Sequence, residues 1–492
     1  MSSTAKKIVL PKFSLTKVSE SPVDGATSVS LPRPGQSPLT YYTVPEQDEL
    51  TREWTGNKGK WVTSHYHRFP LVLCGDGSPW AEANLFLLHR LEKKVEPDMV
   101  AFGTVASDLA AFRRYIEESG IDWLEFPAQR YRRPTYRYRA SLTIAIQACE
   151  IKDTVAKRRM AYVIQFYRWL MSSCHFTPAH SMWDEQDRYI DWKNDYGGSG
   201  TLHVVSTDVS IKIPKSEDPW SGKIMDGGSL RPLPQDEQEA LMATLDKIDN
   251  TEMSLIHELS LFSGARIQSV LTVRVHHVSR DPEELSGSTI GIRAGPKYGI
   301  DTKRGKEGVL HLPRWLYKAL YIYAKSDRAK RRRLMADGGD KPEQFLFLSN
   351  RGACLYDTNE QRRTATDGRH PSTGQAVRQF IKEKVLPEMR ARLNDSNYSY
   401  RFHDLRATFG MNFVDDQAPL MDAGKVTYLE VLGLLQARMW HNSLSSTEKY
   451  LKFRKDFSML HAAQQGWSER LTALAQSVLT GLTSEGHNNE NH

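Results

Sequence analysis

The sequence predicts a multidomain, mainly α-helical protein with one small antiparallel sheet in its carboxy-terminal half. Three observations predict it. Apolar residues recur at helical spacing through 96–178 and again after Pro234, the pattern of helices that bury one face. Between these regions, residues 195–232 lose periodicity and carry Gly, Ser, Pro and a mixed-charge run, the composition of a connection between domains. Within the second region, Thr289 to Leu312 sets Gly295-Pro296, Gly299, Gly305 and Gly308 between short apolar runs, a hairpin-like pattern.

A chain of 492 residues has room for two or three domains. With 39% hydrophobic and 25% charged residues it has the balance of a folded rather than a disordered protein. Lys and Arg number 66 against 59 acidic residues, a net charge of +7. That excess suits a polyanionic partner, because cations that neutralise phosphates release counterions. Cys74, Cys149, Cys174 and Cys354 are far apart and share no metal-ligand or redox spacing, which predicts free thiols in a reducing compartment. The amino-terminal Met-Ser-Ser-Thr-Ala-Lys-Lys lacks the apolar run of a signal peptide, and no apolar stretch is long enough to span a bilayer. A soluble, cytoplasmic protein with no membrane partner is expected.

In chain order, residues 1–45 are rich in Ser, Pro, Thr and Gly and are expected to form a flexible arm. Residues 46–95 form an extension of unreadable role, with a strand-like Phe69–Leu73 and an apolar-faced helix over Ala81–Lys93. A helical domain is expected over 96–212. Thr104, Ser107 and Asp108 can start a helix that carries Leu109, Phe112, Tyr115 and Ile116 and stops at Gly120. A second helix, Asp153–Met171, sets Val155, Tyr162, Ile164, Phe166, Trp169 and Leu170 among Lys157, Arg158, Arg159 and Arg168. Its basic face can lie on a phosphate backbone or simply be solvated. Between the two helices, Arg130-Tyr131-Arg132-Arg133-Pro134-Thr135-Tyr136-Arg137-Tyr138-Arg139 interleaves charges with aromatic faces, a pattern that contacts phosphates and bases. Arg132, Arg133, Arg137, Arg139, Lys157, Arg158 and Arg159 are therefore the candidate DNA contacts.

A linker is expected over 213–232, a second domain over 233–465, and a carboxy-terminal helix with a polar tail over 466–492. Leu241, Leu245 and Ile248, then Leu255 to Phe262, carry the helical periodicity of the second domain. The basic run Arg328-Ala329-Lys330-Arg331-Arg332-Arg333 reads either as a phosphate contact or as a solvated helix face.

Five sites in this second domain combine into a chemical pattern. They are Arg266 in Phe262-Ser263-Gly264-Ala265-Arg266-Ile267; a lysine in Thr302-Lys303-Arg304-Gly305-Lys306; the box His403-Asp404-Leu405-Arg406 followed by Ala407-Thr408-Phe409; His441; and Tyr450. Each alone has an ordinary structural reading: a surface charge, a pair sharing a helix face, a packed tyrosine. The order and spacing of the set resemble the active-site signature of the tyrosine recombinases, or phage integrases. That family presents an Arg after a Gly-containing turn, a Lys in a β-hairpin, a His-x-x-Arg box, then His or Trp, then Tyr. Here His441 and Tyr450 lie nine positions apart, the separation the family favours. Phe166-Tyr167-Arg168-Trp169-Leu170 looks like the family's core-binding domain, and Arg231-Pro232-Leu233 resembles the entry to its catalytic domain. The resemblance covers roughly residues 96–455.

The resemblance implies a helical SAM-like core-binding domain followed by an α+β catalytic domain, acting together as a clamp on double-stranded DNA. It implies a site-specific recombinase that forms a 3′-phosphotyrosyl intermediate, for integration or excision of a mobile element, assembled on DNA as a tetramer or dimer of dimers, with accessory proteins possible. Two guanidiniums, Arg266 and Arg406, can each give paired hydrogen bonds to the non-bridging phosphate oxygens. By analogy with oxyanion-hole donors, each is worth about 3 kcal/mol in the transition state. A phenol has an ordinary pKa of about 10, so Tyr450 needs a base or proton store, for which His403 is the choice. Lys303 is the choice for the acid that protonates the departing 5′ oxygen, with Lys306 and Lys297 as alternatives because sequence does not fix hairpin register. His441 would hold a phosphate oxygen. No metal, nucleotide or other cofactor is expected. Two departures stand out: Ser269 occupies a place, three after Arg266, where the family often has an acid, and Trp440 stands where a small residue is common.

No Gly-Lys pair is followed by Ser or Thr, and His257-Glu258 lacks the second His of a zinc protease, so neither a Walker loop nor that metal site is present. The rival functions are a type IB topoisomerase, with the same chemistry, and a DNA-binding protein on a catalytically dead recombinase scaffold.

Overall fold

The computed structural model describes residues 4–16, 18–19, 28–33, 36–43, 63–94, 97–173, 176–193, 199–212, 222–364 and 371–456. It divides into two compact units, one over 1–216 with 362–369, the other over 217–361 with 370–492. The architecture is mainly helical with small antiparallel sheets. Among the described residues no helix is long and apolar enough to cross a membrane.

In the first unit, β1 (Lys6–Thr16) pairs antiparallel with β5 (Thr63–Leu73), in register from Lys6 with Leu73 to Thr16 with Thr63. β2 (Val18–Ser19), β3 (Ser28–Arg33) and β4 (Gln36–Thr43) form a sheet in the order β2-β4-β3. The arm expected over 1–45 thus carries strands, because Leu10 and Phe13 find an apolar surface supplied from far along the chain. Phe13 stacks on Phe69 with ring centroids 4.5 Å apart. The strand expected at Phe69–Leu73 is the end of β5, and the helix expected from Ala81 is α1 (Ala81–Glu92).

α2 (Met99–Glu118) begins earlier than expected, because Asp98 caps it by accepting the Val100 N–H. α3 (Pro134–Gln147) and α4 (Asp153–Ser173) follow. One core joins Phe69, Val72, Trp80 and Leu87 to Phe112, Phe166 and Tyr167. The segment expected as a separate extension over 46–95 therefore packs, from residue 63 on, with the helices. β6 (Glu185–Lys193) and β7 (Ser199–Thr207) form a hairpin, part of it in the region that reads as loop.

The second unit opens inside the expected linker with β8 (Ile224–Met225) paired to β9 (Ser229–Leu230). Next come α5 (Gln235–Ile248), α6 (Thr251–Ser263) and α7 (Ile267–Leu271). The hairpin expected from Thr289 is β10 (Thr289–Ala294) with β11 (Gly308–Pro313), and alternate residues Ile290, Ile292 and Ala294 are buried. α8 (Arg314–Lys325), α9 (Asp327–Met335), α10 (Asn359–Thr364), α11 (Gln375–Phe380), α12 (Leu386–Leu393), α13 (Asp404–Asp422) and α14 (Tyr428–Met439) complete it, with α15 over 444–456. α6 buries Leu255, Ile256, Leu259 and Leu261 around its circumference, which makes it the central helix, and α13 packs along it. In the α9 run, Arg328 and Arg332 pair with buried Glu252, and Arg333 is itself buried against Asp340. The helix and tail expected over 466–492 lie outside the described residues.

Candidate active site

The end of α6 sets the first guanidinium. Gly264 takes the left-handed conformation at φ 68°, and a Cβ there would stand 2.5 Å from the Phe409 ring. Only glycine lets the chain turn so close to α13. The turn delivers Arg266, in extended conformation, at the start of α7. Burial, then the charge of Arg406, brings its pKa down to about 10, which still leaves it protonated at neutral pH.

Arg406 sits one turn into α13 and is 1% exposed. Its Nε donates to Asp226 Oδ2 at 3.1 Å, one terminal nitrogen to the Gly264 carbonyl at 2.5 Å, and the other to the Met439 carbonyl at 2.6 Å. A buried guanidinium persists only when so partnered, and here the partners tie together the ends of α6 and α14.

His441 follows the left-handed Trp440 that closes α14. Its Nε2 lies 3.1 Å from Asp226 Oδ2 and its Nδ1 2.9 Å from Thr447 Oγ1. An ionised carboxylate only accepts, so Nε2 carries the proton and Nδ1 accepts from the threonine hydroxyl. Tyr450, in α15, has no exposed surface. Its hydroxyl donates to Asp226 Oδ2 at 3.0 Å. Its ring lies so close to Gly410 that a Cβ there would stand 2.5 Å from it. Burial, then the negative charge of Asp226, pushes the phenol well above its ordinary pKa.

Asp226 is the hub. It lies at the β8–β9 turn, 5% exposed, and also faces Arg266 across 3.9 Å. Burial alone would raise its pKa; the His441 hydrogen bond and the charges of Arg406 and Arg266 outweigh it and hold the carboxyl well below the usual range. The sequence reading misses this residue, since it falls in the expected linker. Its only local signal is an Asp-Gly-Gly turn after the apolar pair Ile224-Met225, which is common in loops. Ser269, noted above as a departure, donates to the Asp301 carbonyl at 2.9 Å.

His403 precedes α13. Burial, then the charges of Arg406 and Arg266, lowers its pKa to about 4, so the ring is neutral at pH 7. Lys303 is exposed, and its Nζ would lie 3.4 Å from a Cβ on Gly227, next to Asp226. Lys306 Nζ donates to the Trp440 carbonyl at 3.1 Å, and Lys297 lies over the Tyr298 ring. Lys303 thus lies beside the Asp226 turn and its charge acts on His403, while Lys306 reaches the residue before His441.

The candidate DNA contacts of the first unit separate into two groups. Arg132, Arg137, Arg139 and Lys157 are exposed. Arg133, in contrast, is buried and donates to the carbonyls of Pro127, Ala128 and Ser181, which corrects its reading as a phosphate contact: it ties loops together. Arg158 makes two bonds to buried Asp108, and Arg159 lies 3.8 Å from the same carboxylate, so both are at least partly engaged within the unit.

Two guanidiniums, a neutral imidazole N–H and a phenol thus converge on one anion. Such a cluster can bind a singly charged oxyanion and present a hydroxyl to it. No family model matches the chain, and no curated protein matches it. Among solved structures, the chain is similar to XerH site-specific recombinase in a post-cleavage complex with a palindromic difH substrate. The identity is 13%, covering 79% of this chain and 89% of that one, with a TM-score of 0.44. It is also similar to a lambda integrase dimer bound to a COC′ core site, at 14% identity over 74% and 94%, TM-score 0.39. A third is the Tn1549 transposon integrase in complex with circular intermediate DNA, at 13% identity over 75% and 94%, TM-score 0.38.

Proposed function

We propose that this chain is a tyrosine recombinase, a site-specific DNA strand transferase with Tyr450 as its nucleophile. One observation supports the reading: Arg406, His441 and the Tyr450 hydroxyl all bond one oxygen of a single carboxylate, and Arg266 lies 3.9 Å from the other. With a phosphodiester at that position, Arg266 and Arg406 bind its non-bridging oxygens, and their fixed charge offsets the charge that develops on attack. The His441 Nε2–H holds an oxygen alongside them. Tyr450 gives its proton to His403, whose neutral ring can accept it, and the phenolic oxygen bonds to phosphorus. The bond to the 5′ oxygen breaks, and Lys303 supplies the proton that this oxygen needs. The 3′-phosphotyrosyl product keeps the bond energy, so a 5′ hydroxyl from another strand reverses the step. The sequence of events uses the protein's own side chains. Double-stranded DNA is the substrate, several copies of the chain assemble on it, and a mobile element's integration or excision is the natural setting.

The test is a nicked duplex carrying the DNA sequence that flanks the gene, incubated with wild type and with Tyr450→Phe and run on a denaturing gel. A protein–DNA adduct with wild type alone supports the reading. DNA binding without an adduct on any flanking sequence would leave a binding protein on a recombinase scaffold. Relaxation of any plasmid by a monomer, without a defined site, would favour a type IB topoisomerase.

A further inference from the structure

We propose that the turn joining β8 to β9 is an internal plug, in which Asp226 occupies the seat of the scissile phosphate and must leave before DNA is cut. The inference rests on the proposed reading of the site and adds a gate to it.

The Asp226 carboxylate offers guanidinium and imidazole donors the same acceptor fork as the non-bridging oxygens of a phosphodiester. Its Oδ2 takes bonds from Arg406, His441 and Tyr450, at 3.1, 3.1 and 3.0 Å, while Arg266 lies 3.9 Å from Oδ1. Two anions cannot share these donors, because like charges at such range repel strongly where water is scarce. A carboxylate that only steadied the guanidiniums would leave the phenol free; this one also accepts from the Tyr450 hydroxyl.

The cluster does not need Asp226 to hold its shape. Arg406 is fixed by the carbonyls of Gly264 and Met439, and His441 by Thr447. Both would remain placed once the carboxylate had gone.

The hairpin is small enough to move. Its strands are two residues each, and its three-residue turn is Asp226-Gly227-Gly228. Ile224 and Leu230 anchor it in the cluster that includes Val431, Leu435 and Tyr450. At the surface, Lys449 Nζ donates to the Met225 carbonyl at 3.0 Å, and Arg401 donates to the Ser229 carbonyl. Lys303 lies against Gly227, so the displacement that frees the anion seat also frees Lys303 to approach the leaving oxygen. The opposing reading makes Asp226 the base that deprotonates Tyr450. That role requires the carboxylate and the phosphate to stand together in one seat.

Three measurements decide between them. Asp226→Asn keeps the shape and removes the charge; the plug predicts adduct formation on the nicked duplex about tenfold faster than wild type, whereas loss of a base predicts a slower rate. Lys449→Ala leaves the anion seat intact and loosens only the hairpin, so a two- to fivefold faster rate is expected even if the Asp226 variant folds poorly. In wild type, amide hydrogen exchange over 224–230 should rise when inorganic phosphate or the nicked duplex is added. Unchanged or slower cleavage by both variants, or unchanged exchange on phosphate binding, overturns the plug. If phosphate opens the hairpin and yet neither wild type nor either variant forms an adduct on any flanking sequence, the recombinase reading falls and takes the scissile-phosphate plug with it, leaving a gated anion site. An adduct with wild type at a rate that neither variant raises leaves the recombinase reading and overturns the plug alone.

Discussion

One terminal nitrogen of Arg406 donates to the carbonyl of Gly264 at 2.5 Å, so a guanidinium from the first turn of α13 is held by the residue that caps α6. Arg266 lies two residues beyond that carbonyl. The spacing of the two guanidiniums is therefore set by backbone, and only one of them is also a structural tie.

That difference makes the two arginines separable. Arg406→Lys leaves the Gly264 and Met439 carbonyls and Asp226 with one ammonium in place of a fork, and is expected to destabilise the fold by about 3–5 kcal/mol as well as abolish adduct formation. Arg266→Lys keeps a positive charge facing Asp226, from which Arg266 now stands 3.9 Å away, and should cost much less stability than Arg406→Lys while lowering adduct formation at least a hundredfold. Denaturant melts run beside the nicked-duplex reaction check both; equal stability losses would refute the distinction.

Gly410 is the floor beneath the Tyr450 ring. A methyl group at this position meets the Tyr450 ring at 2.5 Å, so Gly410→Ala should displace the phenol. A loss of about 1–3 kcal/mol from overpacking is expected, with adduct formation reduced at least tenfold. An active, fully stable variant would show that α15 has slack.

The buried histidines give the fold an acid limit. His257, His277 and His403 each have a pKa lowered to about 4, with burial the leading cause. Their unfolded value is about 6.5, so the folded chain binds fewer protons than the unfolded one between these limits. Stability is full above pH 6.5 and falls as pH drops toward 4, by up to about 1.4 kcal/mol per group per pH unit. Thermal melts from pH 7.5 to 4 should show the decline, and His257→Gln should reduce its slope. A flat profile over that range would contradict the burial of these rings.

Arg133 and Arg137 should respond in opposite ways. Arg133→Ala strands three carbonyls and should lower stability by about 2 kcal/mol. Arg137→Ala, at an exposed position, should leave stability unchanged, weaken binding to duplex DNA, and reduce the slope of log affinity against log salt by about 1. Melting curves and a salt titration separate the two.

Lys303→Ala and Lys306→Ala test which lysine supplies the proton. The first should slow cleavage about a hundredfold and be rescued by a substrate whose leaving oxygen is replaced by sulfur, which departs without a proton. Lys306 is bonded to the Trp440 carbonyl, so its loss should act through stability and resist that rescue.

These contrasts also mark where sequence is legible. Arg266, His403, Arg406, His441 and Tyr450 stand out because their order and spacing are a pattern along the chain, and the helical period puts His403 and Arg406 on one turn. β10 and β11 are legible because glycines punctuate alternating apolar residues. Asp226 is not, because its partners lie from 40 to 224 positions away and nothing local distinguishes it from a turn residue. Arg133 and Arg137 belong to one basic run, and only tertiary carbonyls decide that one is buried. β1 is unreadable for the same reason, since its partner strand begins about 50 residues later.

The complete burial of Tyr450 has a further chemical effect. The packing of the ring against Gly410 does not involve the β8–β9 turn, so a phosphoryl group esterified to this oxygen would keep protein on that side after the turn had moved, and hydrolysis would compete less well with a strand's own hydroxyl. The packing of a single aromatic ring would thereby separate a ligase-like exchange from a nuclease, and leave no broken ends behind.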